Sequence, residues 1–282
     1  MKLFALLILL ILTTASAQAK TKSFTDLNKW KLVWSGEFNY KGFPDKNKWS
    51  FEEGFLRGEE LQYYTNARKE NVRVGGGVLT IEARKERTKN PRYDASSTYW
   101  QTSREYGEYT SGDITTQGKH SWTYGRIEVR AKLPRGNGVW PAIWTLGSNI
   151  PTASWPGCGE IDIMEHLGKE PNRIYITSHY AVDGKHQSNG NNFECPKPSA
   201  DFHVYAIEWF PDRIDFYLDS TKYHTFAIDA AGKGDDNPFR KPHFILLNLA
   251  LGGWGGPVDD TILPQKYLID YVRVYEQKAI DN

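Results

Sequence analysis

The 282-residue sequence predicts an all-β fold, a sandwich or barrel of many short strands. Three observations carry that expectation. Short runs rich in β-branched and aromatic residues recur along the chain, most of them bounded by Gly, Pro, Asn or Asp. Several are apolar on both faces, as Phe244-Ile245-Leu246-Leu247-Asn248-Leu249 is, which suits strands in the middle of stacked sheets. No long stretch has the 3.6-residue periodicity of an amphipathic helix.

The chain opens with Lys2, an apolar run from Leu3 to Leu12 and the small-residue site Ala15-Ser16-Ala17. These read as a secretory signal peptide over residues 1–17, cleaved before Gln18. The run falls short of the roughly 20 apolar residues that a membrane span needs, and no later segment supplies them. The expected product is a soluble protein, secreted or periplasmic, with residues 18–282 forming one domain. Phe24 to Lys31 is a polar entry with one helical turn. Strands are then expected at Leu32–Trp34, Val72–Val74, Val78–Ala83, Tyr124–Lys132, Val139–Leu146, Gly159–Glu165, Arg173–His179, His203–Phe210, Arg213–Leu218, Phe244–Leu249 and Tyr267–Tyr275. Asp219-Ser220 fits a hairpin turn. Lys85 to Glu108 and Asp183 to Ala200 read as long polar loops, of a length that suggests function rather than connection.

The 35 basic residues are matched by 34 acidic ones and are scattered among them, which argues against nucleic acid or an anionic membrane as partner. The expected state is a monomer. Ten Trp, sixteen Tyr and thirteen Phe exceed what a core of this size needs, and rings that stack on sugar faces are an outlet for the surplus. Cys158 and Cys195 leave a disulfide open in an exported chain, although Cys158 lies beside the strand that carries the chemistry.

That strand is Gly159-Glu160-Ile161-Asp162-Ile163-Met164-Glu165-His166. Side chains alternate along a strand, so Glu160 and Asp162 share a face on which Met164 comes next. A β-bulge slips the alternation by one residue and returns Glu165 to that face. Three acids crowded together repel one another, which favours a use such as splitting their pKa values between acid and base roles. Strand rise separates the Glu160 and Glu165 backbones by roughly 13 Å, a gap that two leaning glutamates narrow.

Other residues are candidates for the same groove. Gly125 to Lys132 alternates strictly, with Ile127, Val129 and Ala131 on one face and Glu128 and Arg130 on the face offered to sugar hydroxyls. Trp140, Ala142 and Trp144 share a face and read as a stacking platform. Trp155 precedes the acid strand. Trp254 lies in Leu251-Gly252-Gly253-Trp254-Gly255-Gly256, where absent side chains let a ligand approach the backbone. A metalloenzyme is disfavoured, because Glu165-His166 has no second His at ligand spacing. A non-catalytic sugar-binding module would keep the tryptophans without needing the acids.

Three blocks together, Trp122 to Pro134, Gly138 to Trp144 and Trp155 to Glu165, resemble glycoside hydrolase family 16, most closely its laminarinase-type endo-1,3-β-glucanases. The resemblance covers nearly the whole mature chain. It implies a β-jelly-roll sandwich of two curved sheets, a cleft on the concave face, β-glucan as substrate and retention of configuration. By position it implies Glu160 as nucleophile, Glu165 as general acid/base and Asp162 as the acid that tunes both. Asn66, Glu128, Arg130, His179 and Asn248 match polar sugar contacts. No catalytic cofactor is implied. A structural calcium is, with Glu37, the Gly77 carbonyl and Asp270 as its ligands.

Overall fold

A computed structural model describes residues 25–279; the signal peptide expected over residues 1–17 lies outside them. Two sheets stack face to face. The ten-stranded sheet runs Thr221–Ala227, Arg213–Leu218, His203–Trp209, Gly125–Lys132, Gln265–Gln277, Val78–Lys89, Tyr106–Ser111, Gln62–Tyr64, with Trp30–Glu37 also paired to Gln265–Gln277 and Val72–Gly75 to Val78–Lys89. The seven-stranded sheet runs Lys185–Glu194, Arg173–Val182, Glu160–His166, Val139–Gly147, His243–Leu251, Asp113–Thr115, Ser50–Phe51. The fold is the jelly-roll sandwich expected.

Alternation builds the core. Ile127, Val129 and Ala131 from one sheet meet Ile143, Ile161, Ile163, Ile245 and Leu247 from the other, all of them buried. A second, smaller cluster of Ala142, Trp144, Leu146, Phe244 and Leu246 lies on the outer face of the seven-stranded sheet. His243–Leu251 is buried along its whole length because both of its faces are covered. Among the described residues no helix is long and apolar enough to cross a membrane.

Of the two long loops expected from the sequence, Asp183 to Ala200 is largely strand, while Lys85 to Glu108 is strand at its two ends and a connection over 90–105. Val78–Lys89 continues past Lys85 and pairs with Tyr106–Ser111, leaving a connection that holds one helical turn, Trp100–Ser103. Lys185–Glu194 pairs residue for residue with Arg173–Val182 across an Asp183-Gly184 turn in which both residues have positive φ. Its residues are almost all exposed, being at a sheet edge, so it shows no apolar alternation. The cysteines are both free and buried: Cys195 belongs to the core between the sheets and Cys158 to the cluster on the outer face, which rules out the disulfide.

Candidate active site

The acid strand contains the expected bulge. Against Arg173–Val182, Asp162 faces Thr177 and Glu165 faces Tyr175, so Ile163 and Met164 together oppose Ile176. Against Val139–Gly147 the register slips between Asp162 and Met164. Ile161, Ile163 and Met164 are all packed in the core. Glu160, Asp162 and Glu165 therefore all point out of the sandwich, into a cleft of about 630 Å³. Arg57, Glu60, Trp140, Trp144, Trp155 and Asn248 also line it.

Burial raises the pKa of all three acids, and their mutual repulsion adds to the rise at Glu160 and Glu165. For Glu165 the rise is large. Trp140 Nε1 donates to Glu165 Oε1 at 3.0 Å, and Trp155 Nε1 donates to Glu160 Oε2 at 2.8 Å. Each indole N–H favours the anion it touches, opposing burial. Glu160 and Asp162 share a hydrogen bond, so the two titrate as a pair. His179 Nε2 lies 3.2 Å from Asp162 Oδ2.

Trp144 forms part of the floor and donates through Nε1 to Asn248 Oδ1 at 2.9 Å. Asn248 Nδ2 donates to the Tyr64 hydroxyl, and that hydroxyl donates to Glu60 Oε2 at 3.1 Å. Gln62 Nε2 donates to the same carboxylate oxygen. Arg57 sits 5.0 Å over the Trp144 ring while ion-paired to Glu52 and Asp113. Sequence reasoning missed Arg57, Glu60, Gln62 and Tyr64. The signal available was Arg57-Gly58-Glu59-Glu60-Leu61-Gln62-Tyr63-Tyr64, a charged cluster around one glycine that runs into Gln and two Tyr.

Trp254 stands edge-on to Trp140, with ring centroids 5.8 Å apart, and 4.7 Å from Tyr175. The glycines around it serve this packing: Gly253 has φ +52°, and a Cβ there would lie 3.3 Å from the Trp140 ring. Trp155 is half exposed at the opposite side of the acids.

Three expected sugar contacts lie elsewhere. Glu128 and Arg130 face outward from the ten-stranded sheet, since their neighbours Ile127 and Val129 face the core. Glu128 is buried there by Arg126 and Tyr271, and Arg130 binds Asp270 at 2.6 Å. Asn66 is an exposed bend residue outside the cleft lining. The expected calcium ligands do not fit an ion as placed. Glu37 is held by Arg273 through two contacts of 2.6 and 3.1 Å, and Asp270 by Arg130, so each carboxylate is already matched by a guanidinium that would repel a dication. Among the described residues the group able to gather three ligand atoms is Glu160, Asp162 and His179.

Residues 59–273 match the family model described as glycosyl hydrolases family 16. A beta-glucanase of Rhodothermus marinus is 44% identical over 259 residues, which are 87% of this chain and 85% of that protein. The X-ray structure of the laminarinase from Rhodothermus marinus superposes with a TM-score of 0.76 at 43% identity, covering 89% of this chain and 98% of that one. A structure from work on endo-acting O-glycanases, which prominent members of the human gut microbiota express to initiate mucin breakdown, gives 0.84 at 37% identity, covering 90% of this chain and 93% of that one.

Proposed function

The chain belongs to glycosyl hydrolases family 16, and from that premise we propose that it is an exported, endo-acting, retaining hydrolase of 1,3-β-glucan. The observation that carries this reading is the bulged strand that turns Glu160, Asp162 and Glu165 into one indole-lined cleft. A retaining hydrolase needs one carboxylate to attack the anomeric carbon and one carboxylic acid to protonate the leaving oxygen. Glu165, whose pKa is raised well above the usual carboxylate range by burial and by the neighbouring Asp162, holds the proton. Glu160 attacks as its carboxylate, whose charge the Trp155 N–H stabilises. In the second step Glu165, now a carboxylate, draws a proton from water as that water displaces Glu160. Trp140 N–H supports this transient anion.

Likeness to a laminarinase supports 1,3-β-glucan as substrate, and likeness to a non-specific endo-beta-1,3(4)-glucanase and an endo-1,3-1,4-beta-glycanase supports some action on mixed-linkage 1,3-1,4-glucan. A second reading, endo-action on mucin-type O-glycans, is favoured by the higher TM-score of the O-glycanase structure. Purified laminarin, lichenan, agarose, carrageenan and mucin O-glycans, assayed for new reducing ends, separate the two. Fast release of oligosaccharides from laminarin is expected, and cleavage of mucin glycans without cleavage of laminarin would replace the first reading with the second. The roles of the two glutamates are tested by Glu165→Ala on an aryl glucoside with a good leaving group. Azide should restore turnover and give the β-glycosyl azide through a Glu160 intermediate; an α product would overturn the assignment.

A further inference from the structure

Beside the acids lies a pair of imidazoles, His179 and His186. His179 Nδ1 and His186 Nε2 are 2.9 Å apart, and the two rings are stacked with centroids 5.1 Å apart. His186 comes from the polar edge strand Lys185–Glu194 and is exposed, with the Trp155 ring 4.8 Å away. On its other side, His179 Nε2 is 3.2 Å from Asp162 Oδ2. That oxygen is buried and has no well-aligned hydrogen bond. With its Nε2 proton turned to Asp162, His179 presents the Nδ1 lone pair to His186, and a single proton then lies between the two nitrogens.

We propose that a borderline transition-metal cation, Zn²⁺ in the first instance, binds between His179 Nδ1 and His186 Nε2, with Asp162 as the carboxylate behind it. Two neutral imidazoles suit Zn²⁺, Cu²⁺ and Ni²⁺, whereas calcium and magnesium prefer oxygen ligands. A metal-bound histidine generally donates its remaining N–H to a carboxylate, which fixes the ring and raises its basicity; Asp162 stands where that partner belongs. The proton between the nitrogens is not lost on binding: His186 takes up its other tautomer, carrying the proton on the solvent-facing Nδ1. Zn–N bonds of about 2.0–2.1 Å at a tetrahedral angle separate ligand nitrogens by about 3.3 Å, so the rings must part by a few tenths of an ångström. An exposed side chain on an edge strand can make that movement. Water completes the coordination.

Occupancy has a consequence for the cleft. The ligand atoms of Glu160, Asp162 and His179 lie within 4.8 Å of one another, so the ion sits one imidazole away from the nucleophile. A dication there holds Asp162 in its charged form and opposes the positive charge that the sugar ring develops in the transition state. Zinc is therefore an inhibitor of hydrolysis, a consequence that rests on the reading of Glu160 given above; the binding itself does not.

The binding test uses the mature protein and Zn²⁺ in titration calorimetry, with Cu²⁺ quenching of tryptophan fluorescence as a second readout. One equivalent of Zn²⁺ should bind, His186→Ala should abolish that binding, and Asp162→Asn should weaken it by about tenfold or more. Cu²⁺ should quench the fluorescence component that Trp155→Phe removes. Unchanged binding in His186→Ala would place the ion on the carboxylates and overturn the proposal, as would no binding to the wild type. Loss of Zn²⁺ inhibition in His186→Ala, each enzyme compared with its own metal-free rate, tests the link to catalysis. If zinc binds through His186 but inhibits neither protein, the site stands and its link to hydrolysis falls.

Discussion

Trp140 and Trp155 each bring a single N–H to one of the two glutamates, and this separates their influence on the pH profile. Removing the donor from Glu165 raises its pKa further, because the bond favours the anion. The acid must be protonated for the first step, so Trp140→Phe should carry the basic limb of kcat/KM to higher pH. Trp155→Phe raises the pKa of Glu160 by the same reasoning, and here the anion is the reactive form. It should move the acidic limb, also to higher pH. A profile measured for each variant checks this, and a shift of the wrong limb would reverse the two roles. None of these hydrogen bonds was legible in the sequence. Strand alternation placed Trp140 and Trp144 on one face, but the edge of an indole carries a donor whose direction depends on the rotamer, and sequence spacing does not fix rotamers.

At the scale of the element, the acid strand was legible and its neighbour was not. The bulge could be read because Ile161 and Ile163 alternate with acids until Met164 breaks the pattern. Deleting Met164 restores plain alternation, and Glu165 then still falls on the face of Glu160 and Asp162. The expected outcome is a less stable enzyme that keeps measurable activity: loss of a buried methionine side chain costs about 2–5 kcal/mol when nothing refills its space. Thermal unfolding and a laminarin assay on the deletion variant check both halves, and complete inactivity in a folded variant would show that the acids need the bulge itself. Lys185–Glu194 escaped notice because an edge strand exposed on both faces has no apolar period to display. Its Asp183-Gly184 turn was the available sign, and the residues after it looked like a loop only because they are polar.

Across the whole molecule, the fold could be inferred from alternation, but the assignment of faces could not. Strict alternation showed that Glu128 and Arg130 point away from Ile127 and Val129, and that is where the structure puts them. A sandwich has two outer faces, however, and nothing in a strand's own sequence says which one carries the cleft. The acids also set a cost on the fold as a whole. The pKa of Glu165 is raised in the folded protein, so its contribution to stability is present below its unfolded pKa of about 4.3 and is lost as pH rises through the folded value. Glu165→Gln should leave the melting temperature at pH 4 unchanged and raise it at pH 8. Each 1 kcal/mol recovered corresponds to about 2–4 °C in a domain of this size. Melting curves at the two pH values check the difference, and equal shifts at both would mean that packing, not charge, is responsible.

Trp30 lies opposite Gln277, and the Lys278 amide donates to the Lys29 carbonyl, so both ends of the domain leave it side by side. They leave from the sheet that does not carry the acids. The domain is thus a cassette: it can be inserted into a longer chain, or have its ends joined by a short linker and be reopened at an exposed turn such as Gly234-Asp235, while the mouth of the cleft stays clear of whatever is attached.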